Sequence, residues 1–121
     1  MIELVTFSDG SNYVGEFKNN KWEGQGKYVG IKGDYYEGQF KDNLRHGKGF
    51  NKSKNGDTYD GGWKSNQMHG EGVYFYKITR DIYRGHYKNN SQHGKGIYKW
   101  ADGSTHDGEY KNGFKHGQGI E

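Results

Sequence analysis

The chain lacks cysteine and proline altogether, and it has few hydrophobic residues. Without cysteine it can form neither disulfides nor thiolate metal sites, and an intracellular, cytoplasmic location is expected. Hydrophobic residues occupy 29% of 121 positions and mean hydropathy is −1.29, which is too polar for an ordinary buried core. No window approaches the roughly 18 apolar residues of a membrane span, and the first residues do not resemble an export signal. We therefore expect a soluble chain that is not exported.

Concentrated positive charge is also missing. The formal net charge is +3, from 18 basic and 15 acidic residues whose signs are interspersed. Blocks of like charge, which are typical of nucleic-acid-binding tails, do not occur. We therefore expect no nucleic-acid partner.

Aromatic residues and glycine are abundant instead. Aromatic residues make up 17% of the chain, and there are 22 glycines. Disordered chains are poor in aromatic residues, so this composition favours a folded protein whose interior consists of Tyr, Trp and Phe.

An internal repeat of 23 or 24 residues runs the length of the chain, which indicates a repeat architecture. The five repeats open at Tyr13, Tyr36, Tyr59, Tyr83 and His106. The predicted domain is thus a single array over 1–121, with a leading half repeat at 1–12 and repeats at 13–35, 36–58, 59–82, 83–105 and 106–121.

Each repeat is predicted to form a β-hairpin. In its first strand a glycine lies two positions after the opening residue, and an aromatic residue lies four positions after it. Alternate residues of a strand share a face, so these side chains line one side of the sheet. The second strand shows the same parity in its best-formed copy, at Gly94, Gly96, Tyr98 and Trp100.

Turn signals separate the predicted hairpins. Pairs such as Asn55-Gly56 and Asp102-Gly103 are typical of tight turns between strands. The segment 76–83 has no glycine and one extra residue, which predicts a bulge or a longer loop there.

We call the ring-bearing side of the sheet the aromatic face and predict that it binds a partner. Its predicted members are Tyr13, Phe17, Tyr36, Phe40, Tyr59, Trp63, Tyr83, Tyr87, Tyr98, Trp100 and Tyr110. The glycines of each His-Gly-x-Gly motif are predicted to be packing sites, because a glycine leaves a flat surface for a neighbouring ring. A phosphate-binding role is disfavoured, since no helix is expected after these glycines.

Histidines recur at one position of the repeat, as His46, His69, His93 and His116. A shared metal site is disfavoured because equivalent positions one hairpin apart are roughly 10 Å apart, too far for imidazoles that must each bind one ion. We expect these histidines to hydrogen-bond to local backbone, with no metal, cofactor or catalytic residue. The run STHD (104–107) is not expected to form a catalytic triad, since adjacent strand residues point to opposite faces.

The opposite side of the sheet carries two further patterns. One is a lysine ladder, formed by Lys18, Lys41, Lys64, Lys88 and Lys111. It is either a surface for anionic lipid or an acidic partner, or a solvated face that prevents stacking. The other is a stripe of mostly apolar residues after the second-strand glycines, including Phe50, Val73 and Ile97. This stripe is either a docking site or a consequence of strand propensity.

The pattern of YEGQF (36–40) followed by HGKG (46–49) closely resembles the MORN (membrane occupation and recognition nexus) repeat. Five tandem copies carry this resemblance over nearly the whole chain. It implies an all-β fold: an elongated, single-layer, twisted antiparallel β-meander with one hairpin per repeat. The leading half repeat and the five hairpins then make about eleven strands.

The resemblance also implies a non-catalytic scaffold within a larger assembly, with the ciliary axoneme (radial spoke) or the cytoskeleton as the expected setting. The expected partners are a helix or extended segment on the aromatic face, and strands that pair with the uncapped sheet ends. Since the chain stops within a strand, we expect either a longer protein or covered ends. The alternatives are a peripheral membrane module that binds anionic phospholipid weakly, and a regulatory part of a larger enzyme.

Overall fold

The computed structural model describes residues 2–111 and 114–120, with side chains over 2–111. These residues form eleven β-strands: Ile2–Thr6 (β1), Asn12–Lys18 (β2), Lys21–Val29 (β3), Tyr35–Lys41 (β4), Leu44–Lys52 (β5), Thr58–Lys64 (β6), Gln67–Phe75 (β7), Ile82–Lys88 (β8), Ser91–Lys99 (β9), Thr105–Lys111 (β10) and Phe114–Ile120 (β11). The strands lie in one open sheet in sequence order, each antiparallel to its neighbours. The predicted all-β meander is confirmed. No helix that could cross a membrane occurs among the described residues.

Two-residue turns close the hairpins. In the turn between β4 and β5, Asp42 and Asn43 have φ values of 50° and 70°. A turn with both central residues at positive φ matches the twist of the flanking strands, and Asn and Asp tolerate that conformation. The other described hairpins use Asn19-Asn20, Ser65-Asn66 and Asn89-Asn90 in the same way.

The connections between hairpins are five residues long except for 76–81, which has six. In this loop Arg80 adopts a φ of 65°, where the neighbouring connections place a glycine. The backbone N–H of Arg80 donates to the carbonyl of Tyr76 at 2.7 Å. The predicted longer loop is confirmed.

Glycines pair across the sheet, and one row of them supports the tyrosine rings. Gly49 pairs with Gly38 on one side and Gly61 on the other, and the row continues through the repeats. A Cβ on Gly49 would overlap the Oη, Cζ and Cε1 atoms of Tyr36. Gly72 and Gly96 meet Tyr59 and Tyr83 in the same way, which confirms the predicted packing role for the second glycine of the described His-Gly-x-Gly motifs.

The first glycine of the motif has a different role from the one predicted. Gly47 has a φ of +78°, and the equivalent Gly24, Gly70 and Gly94 have φ values between 72° and 82°. The strand pairing shifts register beside them, for example between Gly38 and Phe40. The first glycine therefore permits a left-handed bulge, in which Cβ-bearing residues are strained.

Candidate functional site

The inner layer of the aromatic face is a continuous series of edge-to-face ring contacts. Tyr36 lies 5.0 Å from Phe40 of its own strand and 5.5 Å from Trp63 of the next repeat, at interplanar angles of 79° and 88°. The alternation recurs through the described repeats. The Tyr36 hydroxyl donates to the backbone carbonyl of Gln39 at 2.8 Å. Burial raises the pKa of both Tyr36 and Tyr59 to about 12.

Most of the predicted partner-binding residues belong to this inner layer. Eight are at most 6% exposed: Tyr13, Tyr36, Phe40, Tyr59, Trp63, Tyr83, Tyr87 and Tyr110. Only Phe17, Tyr98 and Trp100 of the predicted set are partly exposed. The eight buried rings hold successive repeats together, and a partner can reach only the side chains around them. Partner binding by the aromatic face stays a prediction, centred on the exposed minority of the set.

A second, partly buried layer surrounds the inner rings, and we call it the rim. It consists of Phe17, Trp22, Tyr28, Met68, Tyr74, Tyr76, Tyr98 and Trp100. Trp22 stacks on buried Tyr13 at 4.2 Å with an interplanar angle of 3°. Five rim residues were missed by sequence reasoning. Their signal was their parity with the second-strand glycines, which places them on the same face.

The rim is densest where the third and fourth repeats meet. Tyr76 lies 4.5 Å from Tyr74 and 5.8 Å from Tyr98, and Tyr98 lies 4.9 Å from Trp100. The side chain of Gln92 donates to the Tyr76 hydroxyl at 3.2 Å. This cluster lies beside the longer loop at 76–81, so the irregular connection coincides with the largest group of accessible rings.

Aspartates join the repeats at the ends of the strands where the connections between hairpins lie. Tyr74 donates its hydroxyl to Asp57 at 2.9 Å, and Tyr98 donates to Asp81 at 2.7 Å. Each carboxylate also accepts a backbone N–H from the following turn. Burial, followed by the hydrogen bond to the carboxylate, raises the pKa of both tyrosines. Both hydroxyls therefore act as donors at neutral pH.

Asparagines join the repeats at the opposite ends of the strands, where the hairpin turns lie. The side chain of Asn66 accepts the backbone N–H of Arg45 at 2.8 Å, and the backbone N–H of Asn66 donates to the Arg45 carbonyl at 3.0 Å. Asn43 and Asn90 make the same pair of bonds to the preceding repeat. These residues combine a left-handed turn conformation with a side-chain acceptor.

The second repeat interrupts the rim with a polar notch. Arg45 and Asn51 stand where the first repeat has Trp22 and Tyr28. The Arg45 guanidinium carbon lies 4.3 Å from the centroid of the Trp63 ring, and burial lowers the pKa of Arg45. A cavity of about 300 Å³ opens here between neighbouring second strands. We call this cavity the repeat-2 notch.

The lysine ladder lies on the other side of the sheet. All five members, Lys18, Lys41, Lys64, Lys88 and Lys111, are exposed. Each ends a first strand just before the hairpin turn, so successive lysines are two strand spacings apart, roughly 10 Å. Within residues 2–111 none of the five forms an ion pair. Their use as an anionic-surface site stays a prediction.

The local hydrogen bonds expected of the repeated histidines are missing at the Nδ1 atoms of His69 and His93, which are buried without a partner. His86 lies 3.4 Å from Glu71, and it lines an open cavity of about 520 Å³ with His69 and His93. Over residues 2–111 no group of three or more possible ligands is arranged to hold a metal ion. His116 lies outside the described side chains.

The apolar stripe on the charged side is broken by charges. Phe50 pairs with Glu37 on one side and Asp60 on the other. Val73 and Ile97 likewise have charged neighbours on both adjacent strands. The stripe is thus not a contiguous apolar surface, which makes strand propensity the simpler explanation.

These features define a β-hairpin repeat protein. Its repeats are joined at both ends of their strands and through the rings of one face. The family model for the MORN repeat matches the chain five times, at residues 13–35, 36–58, 59–78, 83–105 and 106–121. The chain belongs to the MORN repeat family, whose members are generally non-enzymatic modules for protein or membrane interaction. The third match ends at 78, within the longer loop. No protein of curated function matches the chain.

Proposed function

We propose that the protein is a non-catalytic scaffold that binds a helix or extended segment of a protein partner along its aromatic face. The rim is the observation that carries this proposal. Its partly buried apolar side chains lie on one side of a single-layer sheet, and no second layer of described residues covers them. Accessible apolar surface of this kind usually marks an interaction site, and Tyr, Trp and Met are enriched in interfaces.

The dimensions of the sheet suit an elongated partner. Eleven strands have ten spacings, which gives a width of roughly 48 Å. A helix of about 30 residues has the same length. The two dense parts of the rim, around Trp22 and around Tyr76, lie in the first repeat and at the junction of the third and fourth. One continuous segment can contact both.

Site-specific cross-linking tests the proposal directly, because the chain has no cysteine of its own. A photoreactive maleimide on a Trp100→Cys variant is expected to capture a stoichiometric partner from the extract of the source cells. The matched variant Lys88→Cys places the same probe on the other side of the sheet and should capture far less. Equal capture, or preferential capture from the Lys88 position, would contradict the proposal.

Loss of binding provides an independent readout. The double variant Tyr76→Ala/Trp100→Ala removes accessible rings and is expected to abolish recovery of the partner. The charge reversal Lys88→Glu should leave recovery unchanged. Circular dichroism of each variant distinguishes lost contacts from lost folding. The inner rings are unsuitable for this test because replacing them would destabilise the array, and lost folding would then be hard to separate from lost contacts.

The proposed setting is a cytoplasmic assembly such as the ciliary axoneme, including its radial spokes, or another cytoskeletal structure. Support comes from the settings in which similar repeats occur and from the shape of the sheet. Strand pairing at the outer edge of β1 is a further proposed contact with the assembly. Expression of a fluorescent fusion in ciliated cells tests the setting, and diffuse fluorescence with no cytoskeletal enrichment would count against it.

A second candidate function is peripheral binding to anionic membranes through the lysine ladder. The observation that favours it is that five exposed lysines lie along one line and none forms an ion pair within residues 2–111. Each lysine near an anionic surface contributes about 1 kcal/mol. Flotation with phosphatidylserine vesicles should then occur at low salt, fade at physiological salt and disappear in Lys64→Glu/Lys88→Glu. Absence of flotation at low salt would exclude this function.

A further inference from the structure

The repeat-2 notch is a place where the internal symmetry of the array lacks one tyrosine ring. In the third and fourth repeats this position of the second strand holds Tyr74 and Tyr98. Their hydroxyls donate to Asp57 and Asp81 of the preceding turns. In the second repeat the position holds Asn51, whose side chain is much shorter. The other repeats therefore show which group fits between a second strand and a turn aspartate.

Asp34 is the turn aspartate without its tyrosine. It directly precedes β4, as Asp57 precedes β6 and Asp81 precedes β8. Among residues 2–111 no side chain donates a hydrogen bond to the Asp34 carboxylate and no cation pairs with it. Asp34 lines the 300 Å³ notch together with Asn51. Both also line a neighbouring cavity of about 440 Å³. The unfilled space of the notch therefore lies beside the Asp34 carboxylate, which accepts no side-chain hydrogen bond.

Arg45 gives the notch a positive charge and lines it together with Asp34 and Asn51. It contacts the Trp63 ring, and its Nε and Nη2 donate to Asn66 at 3.1 and 3.0 Å. Its Nη1 donates to Asn51 at 3.2 Å. The guanidinium is held in place by these bonds, while its positive charge has no carboxylate partner within residues 2–111. The notch is therefore lined by both a fixed cation and the Asp34 acceptor.

We infer that the repeat-2 notch binds a tyrosine side chain supplied by the partner segment. This inference rests on the proposed binding of a protein along the aromatic face. The phenol hydroxyl donates to Asp34, as Tyr74 and Tyr98 donate to their aspartates. The electron-rich ring contacts the guanidinium of Arg45, which favours aromatic over aliphatic groups. The ring itself fills the space that Asn51 leaves.

Other side chains fit the notch less well. A carboxylate would face Asp34 at close range, and the guanidinium donors of Arg45 already bond to Asn51 and Asn66. A phenylalanine would fill the space but would leave the Asp34 carboxylate covered and without a donor, which is unfavourable. Tyrosine supplies both the ring and the donor.

The tyrosine side-chain analogue p-cresol provides a direct probe, with toluene as the matched compound that lacks the hydroxyl. The full chain is titrated with each compound and followed by ¹⁵N–¹H correlation spectra. We expect saturable shifts that centre on the amides of Asp34, Arg45 and Asn51. Toluene should bind at least about fivefold more weakly, because it cannot donate to Asp34.

Two variants make the test specific. Asn51→Tyr supplies the ring from the chain itself and is expected to abolish p-cresol binding at the notch while raising the melting temperature. Asp34→Ala should remove the preference for p-cresol over toluene. Equal binding of the two compounds, shifts centred elsewhere, or p-cresol binding that survives Asn51→Tyr would overturn the inference. Cross-linking from the Trp100 position is independent of these results, so failure of the notch and failure of the proposed function are distinguishable.

Discussion

The substitution Gly49→Ala tests whether the glycine row exists to accommodate the tyrosine rings. Gly49 has an ordinary strand backbone, so the change brings no conformational strain and reduces the freedom of the unfolded chain. Its new methyl group would overlap three atoms of Tyr36, whose side chain is 2% exposed. Phe40 and Trp63 hold that ring from both sides. The ring cannot move aside without breaking these contacts, so we expect strong destabilisation.

The magnitude follows from what the displaced Tyr36 ring would lose. Its burial contributes about 1.5–3 kcal/mol. Each of its two edge-to-face contacts contributes about 0.5–1.5 kcal/mol, and the hydroxyl hydrogen bond to Gln39 contributes about 0.5–1.5 kcal/mol. Some of this is recovered as the strands adjust, since overpacking substitutions typically cost about 1–3 kcal/mol. We therefore expect Gly49→Ala to lower the free energy of unfolding by about 3–5 kcal/mol.

Denaturant unfolding, followed by tryptophan fluorescence and circular dichroism, measures the effect. Gly103→Ala is the matched control: a Cβ there has no neighbour within 4 Å, but φ is +93°, so only the backbone cost of about 1–2 kcal/mol applies. In a Tyr36→Leu background the overlapping ring atoms are gone, and Gly49→Ala should cost less than about 1 kcal/mol. The reasoning fails if Gly49→Ala is no worse than the control, or if its cost is the same with and without the ring.

Three further predictions concern the contacts between repeats and the buried hydroxyls. Asn66→Gly keeps the left-handed turn but removes the side-chain acceptor, so it should cost about 1–2 kcal/mol in the same unfolding assay; no loss would mean that the asparagine bonds do not stabilise the array. Asp57→Ala should cost about 2–3 kcal/mol because it removes the hydrogen bonds that Tyr74 and Lys77 donate to the carboxylate, whereas Asp34→Ala, at the equivalent position without a partner, should change stability by less than about 0.5 kcal/mol. Burial raises the pKa of Tyr36 and Tyr59 from 10.0 to about 12. Between these pH values the folded state keeps protons that the unfolded state releases. The free energy of unfolding should therefore be constant with respect to these groups below pH 10 and fall as the pH rises towards 12. Phenolate absorbance at 295 nm that appears in the folded chain near pH 10 with an amplitude equal to all eleven tyrosines would contradict that burial.

The fold was predictable because each local signal recurs at a fixed spacing. Tyr36, Gly38 and Phe40 share parity in their strand, and copies of this pattern 23 or 24 residues apart leave a hairpin meander as the simplest arrangement. The role of Gly47 was not predictable in the same way. Its strand parity is the same as that of Gly49, and only the backbone shows that one glycine relieves conformational strain while the other accommodates a ring.

The candidate site was harder to predict because parity gives the face of a side chain but not its depth. Tyr36 and Tyr98 lie on the same face, yet Tyr36 is buried and Tyr98 is partly exposed. Depth depends on neighbours from the next repeat, such as Trp63 over Tyr36. The Asn66 contact was missed for a similar reason: a turn asparagine is already explained by its own turn, and nothing local indicates a bond to a strand 21 residues away.

The division between inner layer and rim has a consequence for recognition. Positions that hold the same residue type in successive repeats, such as that of Tyr36, are occupied by contacts between repeats and present no accessible ring. Other positions on the same face differ from one repeat to the next: one row reads Trp22, Arg45 and Met68 along the array, followed by the buried Gln92. Successive repeats are roughly 10 Å apart, so a segment shifted by one repeat would meet different side chains along this row, although Tyr74 and Tyr98 recur at one other position. A tyrosine held in the repeat-2 notch would therefore fix the register of the partner along an otherwise periodic surface.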